Sequence, residues 1–225
     1  MSAAELARRS KSQAKLTFFV VFALATVFVT YMKNQGFFDP ASPTAQHYRP
    51  ALGFLLIHGF FGAIALLLGV FQLSNRMRAR YLGVHRALGY VYVACVFVAA
   101  PFAIPLAAKI NTPSLLAASA VQAFGWMVTT AIALYCVRTG NIVQHRRWMI
   151  RSYCLATVFT IGRLIIPIPP ILAMGDAGVE IVVWSTIALM MFLPNIFLDW
   201  RAIVARPKVK QTMATALTPE YSRAA

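Results

Sequence analysis

The residues in this chain equipped for chemistry are its histidines and the arginines beside them. His85 is followed by Arg86, and His145 by Arg146 and Arg147. A third histidine, His58, stands inside a long apolar run, and Arg163 lies near the end of another. Two neutral imidazoles at equal depth on facing helices can ligate a haem iron axially, and neighbouring arginines can pair with its propionates. His85 and His145, with Arg86 and Arg146, therefore form a candidate b-haem site in which the two imidazoles are the iron ligands. The same residues can instead act as cationic anchors that bind lipid headgroups or a partner. His58 and Arg163 form a candidate polar cluster in the opposite half. There is no H-E-x-x-H, G-x-S-x-G or phosphate-binding glycine loop, so hydrolase and nucleotide chemistry have no motif behind them. These residues leave open whether the chain is an enzyme.

The elements that must position them come from the apolar pattern. The chain has 225 residues, of which 60% are hydrophobic and 12% charged. A soluble domain carries about 25% charged residues. Strand alternation is absent and the apolar runs are too long for barrel strands, so an all-α membrane protein is expected. Six transmembrane helices are expected at Leu16–Met32, Leu52–Leu73, His85–Ala108, Ser114–Val137, from after the basic loop Arg138–Arg147 to Ile166, and Glu180–Leu198. Spans two to five make a four-helix core bundle. Residues 1–15 form a basic tail, residues 16–200 the membrane domain, and residues 201–225 a polar basic tail. Pro101 and Pro105 are expected to kink the third span. Cys95, Cys136 and Cys154 fall in apolar runs without a C-x-x-C, which suggests neither a zinc site nor covalent haem attachment.

The formal net charge is +15. Six spans put both termini on one side, and seventeen of the 21 Lys and Arg residues fall on that side. Only Lys33, Arg49 and Lys109 fall on the other, and Arg163 lies within a span. That split predicts both termini in the cytoplasm of a bacterial inner membrane. It also accounts for the charge by an anionic leaflet, without nucleic acid. The six carboxylates sit at termini, loops or span ends, so a carboxylate-driven pump is not expected.

Spacing assigns faces. His58, Gly62, Ala65, Gly69 and Gln72 recur at helical intervals, which predicts one face on which Gly62 and Gly69 meet a neighbouring helix. His145 and Arg163 are 18 residues apart, which is about five turns and about 27 Å along one face. Ser152, Ala156 and Phe159 fall between them on that face. Gln122, Trp126, Thr129 and Thr130 form a polar face on the fourth span, for a pocket or for hydrogen bonds to a neighbour.

Two stretches carry a resemblance. One is Gly83-Val84-His85-Arg86-Ala87-Leu88-Gly89-Tyr90-Val91-Tyr92-Val93. The other is Arg138-Thr139-Gly140-Asn141 followed by His145-Arg146-Arg147-Trp148-Met149-Ile150-Arg151-Ser152-Tyr153, with Arg163 beyond it. In these the chain resembles the bacterial predicted-membrane-protein family known as domain of unknown function 2306. The resemblance runs from about His58 to Pro167, with the first and last spans as additions. The first motif departs from the family at Ala87 and Tyr90. What the resemblance implies is fold and location, and it brings no activity. In outline the core is also similar to dihaem b-type cytochromes, although the outer half offers only His58. The expected function is b-haem electron transfer with a quinone or other redox partner. The alternative is a non-catalytic carrier, sensor or assembly factor.

Overall fold

A computed structural model of the chain describes Asp39, residues 41–204, and residues 17, 20, 21, 24–28 and 31. Residues 1–15 and 205–225, the first expected tail and nearly all of the second, lie outside it, as do eight of the seventeen residues of the expected first span.

The described part is helical, with no strand. Helix α1 covers Pro43–Tyr48 and passes through a 3-10 turn, Arg49–Ala51, into α2, Leu52–Gln72. Helix α3 is the short Asn75–Arg80. Helices α4, Leu82–Ile110, and α5, Pro113–Arg138, form the next hairpin. Helix α6, Ile142–Ile165, leads through the short α7, Pro169–Ala173, to α8, Asp176–Val204. The polar side chains between the spans cap these helices. Ser74 Oγ accepts from Met77 N, so the expected basic loop contains a helical turn. Thr112 caps α5 with Pro113 at its first position. Gly140 takes φ +77, the left-handed conformation that ends α5, and Asn141 then caps α6.

Pro101 and Pro105 do not interrupt α4, nor Pro194 α8. A proline frees the carbonyl one turn earlier, and packing among neighbouring helices keeps the rest of the ladder intact.

Helices α2, α4, α5 and α6 pack in that order, and α6 closes the ring by touching α2. Helix α8 lies outside against α6 and α5. The core is made largely of small residues: Ala65, Ala99, Ala118 and Ala133 are fully buried. Small side chains let helix backbones approach closely where lipid gives no hydrophobic drive to associate. Four helices are long and apolar enough to cross a membrane: Pro43–Gln72, Leu82–Ile110, Pro113–Arg138 and Asp176–Trp200. Helix α6 has 24 residues but carries Arg146, Arg147, Arg151 and Arg163, and it stands outside that set. Eight of its residues are buried, Ser152, Thr157 and Thr160 among them, so much of its polar surface meets protein. Exposed Tyr81, Tyr90 and Tyr135 sit toward the end of the bundle where the arginines collect, as in an interfacial aromatic belt.

The small face of α2 divides in two. At Gly69 an added Cβ would overlap Cδ2 and Cε2 of the Tyr153 ring, while at Gly62 it would meet nothing within 4 Å. The Tyr153 ring lies against Gly69, and its hydroxyl donates to the Leu66 carbonyl at 3.1 Å. The expectation that both glycines face a helix is corrected for Gly62, where no described residue comes within 4 Å of an added Cβ. Gly69→Ala should therefore lower stability by about 1–3 kcal/mol through overpacking, and Gly62→Ala should be neutral. Thermal unfolding of both variants in one detergent measures this, and equal midpoints would contradict the contact.

Candidate functional site

The inward face of α4 carries His85, Gly89, Tyr92 and Ala99 at helical spacing, and these mark three levels through the bundle. The middle level is a hydrogen-bond circuit. Trp126 Nε1 donates to Tyr92 Oη at 3.3 Å. Tyr92 Oη lies 2.8 Å from Ser152 Oγ, and Ser152 Oγ lies 2.7 Å from Thr130 Oγ1. Thr130 Oγ1 donates to the Trp126 carbonyl at 2.7 Å. An indole N–H can only donate and a carbonyl can only accept. The threonine proton is committed to the carbonyl, so Ser152 must donate to Thr130 and Tyr92 to Ser152. The circuit runs one way, from the Trp126 ring back to the Trp126 backbone. Every hydroxyl is satisfied and all four side chains are buried. This level is a lock among α4, α5 and α6, with no atom left for a ligand. The polar face expected on the fourth span serves it, with Gln122 Nε2 also donating to the Leu155 carbonyl at 3.2 Å. Tyr92 was missed, although carrying the spacing of His85 and Gly89 one turn further selects it over Tyr90.

The next level, at the arginine-rich end, is the opposite in character. His85 lies within electrostatic reach of Arg78, His145, Arg146 and Arg86. The structure therefore brings together the four expected residues, His85, His145, Arg86 and Arg146, and adds Arg78 and Gln72. Arg78 Nη1 donates to the Gln72 carbonyl at 3.4 Å, and Nη2 pairs with Asn75 Oδ1. Gln72 is 5% exposed, and its Oε1 would stand 3.6 Å from a Cβ placed at Gly89, one turn from His85. Among the described residues, Gln72 Nε2 and His85 Nδ1 are the buried side-chain nitrogens with no hydrogen-bond partner. An unmade bond of this kind costs about 1–3 kcal/mol. His145 differs: its Nδ1 lies 2.9 Å from the Ala133 carbonyl. That carbonyl accepts only, so Nδ1 carries the proton and Nε2 is free.

The charge at this end is uncompensated. Burial lowers the Arg78 guanidinium from its ordinary value, and the nearby charge of Arg146 adds to that; it stays protonated at physiological pH all the same. The salt bridge among the described residues is Arg147 to Asp199, on the side facing α8. Arg151 is likewise drawn to α8, donating to Asn195 Oδ1 at 2.8 Å and stacking 4.8 Å above Trp148. Of the other described carboxylates, Glu180 accepts from Thr112 at the far end, and Asp39 and Asp176 also belong to that end. Arg78, Arg86 and Arg146 thus have no carboxylate partner among the described residues.

The third level holds His58 and Arg163, expected to form one cluster. The structure gives them separate partners. His58 Nδ1 lies 2.9 Å from the Ala99 carbonyl, and the Arg163 guanidinium stacks 5.1 Å above the Phe159 ring. Ser152 and Ala156 point inward as expected, whereas Phe159 is 39% exposed. The expected common face therefore turns outward over the last two turns of α6, where Thr160 and Gly162 are the buried positions.

Two substitutions separate lock from site. Ser152→Ala strands the Tyr92 proton and should cost about 1–3 kcal/mol. Gln72→Leu removes an amide that has no bond to lose, so it should leave the ligand-free protein at least as stable. Chemical denaturation in detergent reads both, and a large loss at Gln72→Leu would mean that the amide has a partner in solution.

No curated protein and no solved structure matches the chain. Residues 55–200 match the family described as predicted membrane protein (DUF2306). The match runs through α8, so the last helix is part of the family unit and not an addition to it. With well over half of its length covered, the chain belongs to the predicted membrane protein family DUF2306.

Proposed function

We propose that this multi-pass membrane protein binds an anionic group at the arginine-rich end of its bundle, as a carrier, sensor or assembly factor does. One observation supports the reading above the others. Among the described residues, two buried nitrogens, Gln72 Nε2 and His85 Nδ1, have no partner at the spot where Arg78 and Arg146 have no carboxylate. An acceptor-rich anion supplies both missing items, hydrogen-bond acceptors and negative charge. Arg86 and Arg146 are exposed and form the rim. The phosphate of a lipid headgroup and a free phosphate share this chemistry. In nanodiscs, phosphatidylglycerol should raise the melting temperature more than phosphatidylcholine does. Arg78→Gln with Arg146→Gln should weaken phosphatidylglycerol retention about tenfold or more, a loss of about 1.4 kcal/mol or more. Retention of both lipids alike, before and after substitution, would overturn the reading. Competition by inorganic phosphate distinguishes a free ion from a headgroup.

A second reading keeps the haem. Its support is the Nδ1 bond of His145 to Ala133, which leaves Nε2 with a free lone pair and a fixed ring, as in a metal-ligating histidine. His85 would be the second ligand, with Arg86 and Arg146 at the propionates, and a quinone or other redox partner would exchange electrons with it. His85 has no carbonyl on its Nδ1, so the second ligand position is less prepared than the first. Haem bound this way gives a Soret band with sharp reduced α and β bands that His145→Ala abolishes. A colourless preparation after haem-supplemented expression removes this reading and leaves the first.

Both readings place six spans in a bacterial inner membrane, α6 and the Leu16–Met32 segment among them, with the arginine-rich end in the cytoplasm. The charge split of the chain supports that orientation. In a background without Cys95, Cys136 and Cys154, a cysteine at Asn111 should react with an impermeant maleimide on whole cells. A cysteine at Ala79 should react only after permeabilisation, and early labelling there would reverse the topology.

A further inference from the structure

His58 stands at the end of the bundle away from the arginine cluster and takes no part in it. Its Nδ1 is 2.9 Å from the Ala99 carbonyl. A carbonyl accepts only, so Nδ1 carries the proton and the neutral ring presents Nε2 as a bare acceptor. Among the described residues that acceptor has no hydrogen-bond partner, yet it is not fully covered: the buried unpartnered nitrogens there are Gln72 Nε2 and His85 Nδ1, and not this one. His58 Nε2 therefore borders a space beside the α2–α4 seam that no described side chain fills. His58 is six residues from Leu52, about 9 Å along the helix, which puts it below the interface and inside the hydrocarbon layer of a membrane. Water is scarce there, and lipid tails offer no donor.

The surroundings narrow what fits. One turn before His58, Phe54 meets Phe102 of α4 across the seam with ring centroids 6.1 Å apart. One turn after it, Gly62 leaves a step where an added Cβ would touch nothing within 4 Å. The seam thus offers an aromatic wall, a lone acceptor and a floor without side chain. We propose that it binds a lipid-soluble aromatic ring bearing a hydroxyl donor, of the hydroquinone class. The hydroxyl donates to His58 Nε2, and the ring lies over Gly62 against Phe54 and Phe102. This is a binding site on a different surface from the anion cluster, and it stands whether or not that cluster is a site.

The test uses the full chain in nanodiscs and two probes, a decyl-substituted benzohydroquinone kept reduced and its dimethyl ether. The hydroquinone should bind saturably, raise the melting temperature and shift the ¹⁵N resonance of His58 Nε2. The ether cannot donate and should bind about tenfold more weakly, the loss of one hydrogen bond. Gly62→Leu should abolish binding while the His58 bond to Ala99 and the fold remain, because a Cβ there meets no described atom within 4 Å. His58→Phe should abolish it too. If that variant does not fold, Gly62→Leu decides alone. Equal affinity for the two probes, absence of saturable binding, or full affinity in Gly62→Leu would each overturn the proposal.

Discussion

The contact of Tyr153 with Gly69 is what allows the most polar helix to be the most enclosed. Helix α6 carries four arginines, and a helix of that kind facing lipid on all sides would be costly. Surrounded by other helices, it can direct Ser152 inward, Arg147 and Arg151 toward α8, and Tyr153 toward α2. The last of these closes the ring of four helices. It does so only because position 69 has no side chain, so the tyrosine ring can lie against backbone and its hydroxyl can reach the Leu66 carbonyl. A bulkier residue there would force α2 and α6 apart. The cluster formed by Gln72 and His85 is built at the same end of that closed ring.

Much of this was legible in the residues. Thr139-Gly140-Asn141 announces one helix ending and another beginning, and the structure follows it. The small face of α2 was legible as a face, but its division into a packed half and an open half was not. Spacing gives direction around a helix, while the distance to the neighbour depends on how two axes cross. For the same reason Phe159 was assigned to the inward face of α6 and is found outside it. A face defined at one end of a long helix drifts relative to its neighbours by the other. The orphaned Gln72 amide was missed as a site because Gln ending an apolar span reads as a polar terminus. Its want of a partner appears only when α4 is packed against it. The His–Arg pairs were visible at once, because charge is scarce in this chain and its placement is therefore informative.

The two ends of the bundle are prepared for opposite chemistries. At one, donors and fixed positive charge converge with acceptors lacking. At the other, a single ring acceptor has no donor among the described residues. Such a pairing suits a protein that meets a polar headgroup on one face and a lipophilic molecule within the membrane. The histidines differ accordingly: a backbone carbonyl fixes the tautomer of His58 and His145, while the ring of His85 is free to take either.

Between those ends stands the circuit of Trp126, Tyr92, Ser152 and Thr130. A relay moves protons by letting each hydroxyl receive from one side and give to the other, and then turn round to reset. Here the chain of donors begins and ends on the same tryptophan, with an indole that cannot accept and a carbonyl that cannot give. It has neither an inlet nor a reversed state. The middle of this bundle is therefore a closed ring of polar groups, and these four side chains carry no proton from one end of the bundle to the other.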